Sequence, residues 1–337
     1  MTFLKLSSDN VVAIARAVAG AVQRGMAIAP VFGGSCMLAT APEELRKRFG
    51  VAYRVSDTTQ AAGVPDRVES PSRAAILRLL ADGGVVRLGP GDGIAVASHG
   101  LERELVRLLP EALWLGVPDE VMESGELADE LGSLAAVVVT SDEEWRPGPT
   151  VFDFAALPVR IDRRGKVAIL DAEAVLGGLV RLGPGIPFSI LVVCTGNSCR
   201  SPMAAGLLAK LLAGVPAFVY SAGTGAPVGN AATREAVEAA RGMGIDITRH
   251  RAQQLTAGMV SNADLVLVMS GHHREYVVSL VPEARGRTRL LFEFVGQPNA
   301  EVEDPIGRPL EAYEATLELM RPALEQVAAD CRYRLGR

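Results

Sequence analysis

One run near the middle of the chain, Cys194-Thr195-Gly196-Asn197-Ser198-Cys199-Arg200-Ser201-Pro202-Met203, constrains the fold most. It follows the apolar stretch Phe188-Ser189-Ile190-Leu191-Val192-Val193, which reads as a buried strand. It precedes Ala204 to Leu212, which reads as a helix. A cysteine therefore opens a short loop at a strand end, and an arginine closes it at a helix start. Such a loop turns its backbone N–H groups inward and forms an anion nest at the helix N-terminus. A cysteine at its mouth is poised to react as the thiolate. The arginine supplies a planar fork that matches phosphate oxygens. Cysteine and arginine at this spacing also arise by chance, and a buried cysteine is often a small hydrophobe. The strand before, the helix after, Gly196 and Asn197 inside and Ser201-Pro202 behind favour chemistry. Pro202 suits a first helical turn, where a missing N–H costs little.

Further landmarks lie in order behind this loop: Ser221-Ala222-Gly223-Thr224, the apolar run Ala263 to Met269, and Glu303-Asp304-Pro305 followed by Tyr313. With them, the chain from about Phe188 to its end resembles the low-molecular-weight protein tyrosine phosphatase family. The resemblance implies a Rossmann-like domain with a parallel sheet and a cysteine-dependent protein phosphatase. It implies that Cys194 attacks phosphorus to form a thiophosphate. Arg200 and the loop Thr195, Gly196, Asn197, Ser198, Cys199 and Ser201 would hold the phosphate. Asp304, 110 residues after Cys194, would protonate the leaving group and then activate water, since a phosphate ester departs poorly without a proton. Ser201 would hydrogen-bond the thiolate and Asn197 would brace the loop. For Cys199 two readings stand side by side, loop packing and a reversible disulfide with Cys194.

Ser198 stands where phosphotyrosine members usually carry an apolar residue, and Ile306-Gly307 follows Asp-Pro in place of aromatic residues. Ser198, Thr195 and the segment Leu267 to His273 resemble the protein arginine phosphatase branch, although serine replaces its usual threonine. Phosphoarginine is therefore the expected substrate, with phosphotyrosine behind it. The alternative is a thioredoxin-coupled arsenate reductase, which shares the cysteine loop. That chemistry needs two further cysteines after the third strand; Met269 stands at the first place, and no cysteine lies between Cys199 and Cys331.

With 337 residues the chain is about twice what this phosphatase fold needs, so two α/β domains are expected, 1–187 and 188–337. The break is placed between Gly177 and Pro187, where Gly183-Pro184-Gly185-Ile186-Pro187 interrupts the chain ahead of the strand at Phe188. No apolar run reaches the roughly 18 to 20 residues that span a bilayer, and the N-terminus lacks a signal-peptide pattern. Four cysteines in so long a chain are not a disulfide scaffold, which favours a cytoplasmic location. His99, His250, His272 and His273 have no cysteine or carboxylate partners at metal-ligand spacing. They are read as surface or packing residues, with no metal and no cofactor expected.

Residues 1–187 carry 19 Lys+Arg and 24 Asp+Glu, the whole of the chain's formal charge of −5. Helix-like Val11 to Arg24, Ser72 to Ala81 and Leu101 to Leu109 alternate with strand-like Gly84 to Leu88, Gly93 to Ala97 and Leu134 to Val139. Met26-Ala27-Ile28-Ala29-Pro30, Gly148 to Phe154 and Pro158 to Gly165 faintly resemble the YrdC-like threonylcarbamoyl-AMP synthase family. Its functional pattern is missing: Val31-Phe32-Gly33-Gly34 follows Pro30, not Thr-x-Thr-x-Tyr-Gly, and there is no Lys-x-Arg-Pro or Ser-Ala-Asn. The acidic balance argues against a groove for nucleotide or nucleic acid. The expectation is a YrdC-like domain without synthase activity; the alternatives are a different α/β domain altogether and, for activity, a working synthase.

Overall fold

The computed structural model describes residues 2–6, 10–31, 34–56, 73–82, 84–87, 92–97, 100–118, 126–127, 129, 135–141 and 149–337. The chain divides into two compact units, Met1–Pro184 and Gly185–Arg337, and the break falls inside the Gly183-to-Pro187 run.

The first unit is built on a mixed sheet. Its strands are β1 (Thr2–Leu6), β2 (Met26–Val31), β3 (Gly34–Ala39), β4 (Ala52–Ser56), β5 (Gly84–Arg87), β6 (Asp92–Val96), β7 (Leu113–Gly116), β8 (Ala135–Ser141), β9 (Thr150–Asp153), β10 (Arg160–Arg163) and β11 (Arg181–Leu182). They lie in the order β1-β8-β2-β3-β7-β4-β6-β5-β9-β10-β11. Parallel pairs such as β4/β6 and β5/β9 sit beside antiparallel ones such as β2/β3 and β9/β10. The helices are α1 (Val11–Val22), α2 (Glu43–Phe49), α3 (Arg73–Ala81), α4 (Gly100–Leu108) and α5 (Ile169–Leu176). Buried Ile14, Val18 and Val22 of α1 and Leu101 and Leu105 of α4 join one core with Ala27, Leu38 and Tyr53 of the strands. The helix expected through Arg24 ends at Val22, ahead of a turn. Ser72, Leu88, His99, Leu134, Gly148, Phe32 and Gly33 lie outside the described residues.

The second unit is a parallel α/β domain. Its strands are β12 (Phe188–Cys194), β13 (Ala217–Gly223), β14 (Leu265–Val268) and β15 (Thr288–Leu290). They form a sheet in the order β13-β12-β14-β15, parallel throughout. Its helices are α6 (Arg200–Leu211), α7 (Arg234–Gly242), α8 (Ala257–Ser261), α9 (Gly271–Leu280) and α10 (Leu310–Arg334). The central strand β12 is almost wholly buried, as its continuous apolar run requires when both faces are covered. Alternate side chains go to opposite faces. Leu191 and Val193 join Val266 and Val268 of β14 and Val277 of α9 in one core layer. On α10, Leu317, Met320, Leu324 and Val327 are buried, and this helix packs on α6 and α7.

The strand order turns back at β12: β13 lies on one side and β14 on the other. In an open α/β sheet such a switch point leaves a crevice outside the carboxyl ends of the strands. Cys194 is the last residue of β12 and stands at that crevice.

Candidate active site

From Cys194 the chain makes a tight loop and enters α6 at Arg200. The loop is held by its own polar groups. Asn197 has φ of 51°, a left-handed conformation that few residues other than glycine adopt, asparagine being the readiest. Its side chain is fully buried and donates through Nδ2 to Ser201 Oγ and to Ser221 Oγ, each at 2.9 Å. Its Oδ1 accepts the backbone N–H of Gln253 at 2.9 Å. Its backbone carbonyl accepts from His250 Nε2 at 2.7 Å.

Three further carbonyls of the loop are also turned outward. Cys194 O accepts from Thr224 N–H, Thr195 O from Gly225 N–H and Ser198 O from Thr233 N–H, each at 3.0 Å. This close approach needs glycine at 223. A Cβ there would collide with the Thr195 carbonyl oxygen and stand 2.9 Å from the Asn197 nitrogen.

The Cys194 thiol is buried, with Sγ 3.0 Å from Ser201 Oγ. Because Ser201 Oγ accepts from Asn197, its own hydrogen is free to point at the sulfur. Cys199 Sγ lies 3.6 Å from Thr233 Oγ1 and 3.8 Å from the buried Tyr313 hydroxyl. Both Cys194 and Cys199 are free thiols. Ser198 Oγ lies 3.6 Å from Cys199 Sγ. A Cβ on Gly196 would stand 3.2 Å from that same oxygen, so the hydroxyl overlies the loop backbone.

Arg200 is 6 % exposed. It donates from Nη1 to the Val302 carbonyl at 3.0 Å and from Nη2 to Asp304 Oδ2, with which it forms an ion pair. Its Nε is buried and has no hydrogen-bond partner among the described residues. The folded chain thus brings Asp304 to the mouth of the cysteine loop. Its loop is tied to the carboxyl end of β14 by Val302 N–H to Met269 O at 2.9 Å and Gly271 N–H to Glu301 Oε1 at 2.7 Å. Asp304 Oδ1 also accepts from Ile306 N–H at 3.3 Å.

Residues 189–334 match the family described as low molecular weight phosphotyrosine protein phosphatase. The "Probable low molecular weight protein-tyrosine-phosphatase EpsP" of Ralstonia nicotianae is 44% identical over 137 residues, 41% of this chain and 91% of that protein. The chain belongs to the low molecular weight phosphotyrosine protein phosphatase family. A "Protein-arginine-phosphatase" of Geobacillus stearothermophilus is 39% identical over 144 residues, 42% of this chain and 95% of that protein. The "Low molecular weight protein-tyrosine-phosphatase Etp" of Escherichia coli is 39% identical over 140 residues, 42% of this chain and 92% of that protein.

Two residues of this phosphatase escaped the sequence reading, which assigned all the histidines to surface or packing. His250 supports the loop at Asn197. His273 is 2 % exposed, and its Nε2 lies 2.9 Å from Thr195 Oγ1. Neither histidine stands at a spacing that a metal-ligand pattern detects. The usable signal for His273 was its place three residues after Ser270, an N-cap residue directly behind β14 and so at the carboxyl edge of the sheet.

Burial, with the positive charge of Arg200 and neighbouring His272, pushes His273 down to about 4, against a smaller opposite pull from Asp304 and Glu301. The folded unit therefore refuses a proton that the unfolded chain accepts below the ordinary histidine value of about 6.5. Stability that is full above that value is lost as pH falls toward 4. The loss between pH 7 and 4.5 should be larger in the wild type than in His273→Gln by on the order of 2 kcal/mol. Hydrogen exchange of the β12 and β14 amides in the full chain measures it, and equal losses in the two proteins would contradict it.

Proposed function

We propose that the protein hydrolyses phosphoarginine on protein substrates through a Cys194 thiophosphate, with phosphotyrosine the less favoured substrate. Cys194 sulfur attacks phosphorus as the P–N bond breaks, and Asp304 gives its proton to the departing guanidine nitrogen. Asp304 then takes a proton from water, the water oxygen attacks phosphorus, the S–P bond breaks and the thiolate returns. Arg200 and the inward N–H groups of the loop hold the equatorial oxygens. The outward carbonyls and the unpartnered Arg200 Nε support this reading, since both leave donors for an anion.

The choice of phosphoarginine rests on Ser198. Its hydroxyl overlies the loop beside the small Thr195 and offers a polar contact suited to a guanidine. Ile306, 61 % exposed, and Gly307 provide no aromatic wall for a phenyl ring. The family relatives include both protein-tyrosine and protein-arginine phosphatases at similar identity, so the loop residues weigh most. A reductase relay finds little support. Cys331 is the next cysteine after the loop; it is fully buried, and burial pushes its thiol up to about 11.

Cys194→Ser should abolish hydrolysis with the fold intact, because a serine hydroxyl is not ionised here. Asp304→Asn should slow it by roughly 10²–10⁴-fold, more for poor leaving groups than for an activated aryl phosphate. Steady-state rates on phosphoarginine and p-nitrophenyl phosphate decide this, and equal losses on both would make Asp304 a turn residue only. For specificity, kcat/KM should be higher for phosphoarginine than for phosphotyrosine. Ser198→Ile should move the ratio toward phosphotyrosine by roughly 5- to 150-fold, the scale of one lost polar contact. A wild type that prefers phosphotyrosine would leave a phosphatase of the general family type.

For the first unit we propose a YrdC-like fold, spanning about 1–187, that has lost synthase chemistry. The stretch that resembles the family forms β9 and β10. There Arg160 pairs with Asp153 at 2.9 Å and Asp162 at 2.5 Å, and Arg87 of β5 pairs with Asp162 at 3.3 Å. These guanidinium groups are neutralised within the unit, in keeping with the missing nucleotide-binding pattern. Incubating the full chain with threonine, bicarbonate and ATP should give no threonylcarbamoyl-AMP; its detection by mass spectrometry would restore the synthase.

A further inference from the structure

We propose that His273 is a positioning residue of the phosphatase site, which as the neutral Nε2–H tautomer aims the Thr195 hydroxyl hydrogen at the anion in the cysteine loop. This inference rests on the reading of that loop as the phosphate site.

Three polar side chains stand in a line. Ser270 Oγ lies 2.8 Å from His273 Nδ1, and His273 Nε2 lies 2.9 Å from Thr195 Oγ1. Thr195 directly follows Cys194 and is exposed at the loop mouth, whereas His273 is buried. Two directions of hydrogen bonding are available to such a line. In one, Ser270 donates to Nδ1, Nε2–H donates to Thr195, and the threonine hydrogen is left for a third partner. In the other, every bond is reversed and Thr195 turns its lone pairs outward.

The surroundings select the first direction. Ser270 is the N-cap of α9, and its oxygen already accepts the backbone N–H of His273, so its own hydrogen is free to donate onward. A phosphoryl group carries only acceptor oxygens, so a hydroxyl beside it must donate. The imidazole must also stay neutral, because an imidazolium donates from both nitrogens and could not accept from Ser270. The charged and titratable groups around it are Arg200, His272, Asp304 and Glu301; burial with the first two outweighs the carboxylates, and the ring is neutral across the physiological range. The ring is also rigidly held, since His273 lies in the first turn of α9 and its two nitrogens are both engaged. Thr195 thereby receives a fixed orientation that an exposed threonine lacks on its own, and the binding entropy of one rotor is removed before substrate arrives.

The test is a double-mutant cycle on the full chain with p-nitrophenyl phosphate, joined to 15N NMR of the imidazole. His273→Phe should lower kcat/KM by roughly 10- to 100-fold, Thr195→Val by a similar factor, and the double variant by no more than about twofold beyond either single change. His273→Gln, whose amide can still donate to Thr195, should recover most of the loss. NMR at pH 7 should show His273 protonated on Nε2 alone, and this signature should persist in Cys194→Ser. Losses that multiply in the double variant, a Gln variant no better than Phe, or an Nδ1–H or doubly protonated ring would each overturn the proposal. If the wild type fails to hydrolyse the aryl phosphate, the phosphatase reading falls, and the tautomer measurement still decides the hydrogen-bond direction.

Discussion

The site depends first on how Asn197 is held. Its left-handed backbone would cost about 1–3 kcal/mol in most residues, with asparagine at the low end. The three hydrogen bonds of its buried side chain, each worth about 1 kcal/mol net, offset that cost. The same bonds connect three elements: the start of α6 through Ser201, the end of β13 through Ser221, and the Gln253 backbone beyond α7. One amide thus sets the loop's curvature and the direction in which Ser201 presents its hydrogen to Cys194. Glycine at 197 would relieve the backbone and lose all three connections, so flexibility is no substitute here.

Sheet order supplies the second constraint. Cys194, Gly223 and Met269 all stand at the carboxyl ends of adjacent parallel strands, β12, β13 and β14. Gly223 admits the loop against β13, and the Met269 carbonyl anchors the segment that carries Asp304. Two groups 110 residues apart in the chain meet because both hang from the same edge of one rigid sheet. The long helix α10 closes that arrangement from the other side, with Tyr313 reaching Cys199.

What could be read from the sequence was local. The run from Phe188 to Met203 carries its strand, its turn and its helix start within sixteen consecutive residues, and each is decided by near neighbours. Asp304 was legible only beside that loop, since an Asp-Pro pair alone is an ordinary turn. The supports were not legible, because each bond joins distant segments: His250 to Asn197, His273 to Thr195, Val302 to Arg200. A histidine whose partner is a backbone carbonyl or a threonine hydroxyl leaves no spacing pattern to find. In the first unit the alternation of helices and strands was visible, but not the mixed sheet, whose antiparallel pairs β3/β7 and β4/β7 follow from long-range pairing.

The ion pair between Arg200 and Asp304 places a carboxylate against the guanidinium that closes the cysteine loop. An anion drawn to the loop meets a guanidinium whose Nη2 is already engaged by that carboxylate and whose Nε is not. What the anion gains at Nη2 is then a difference between two ionic contacts, while a bond to Nε displaces nothing.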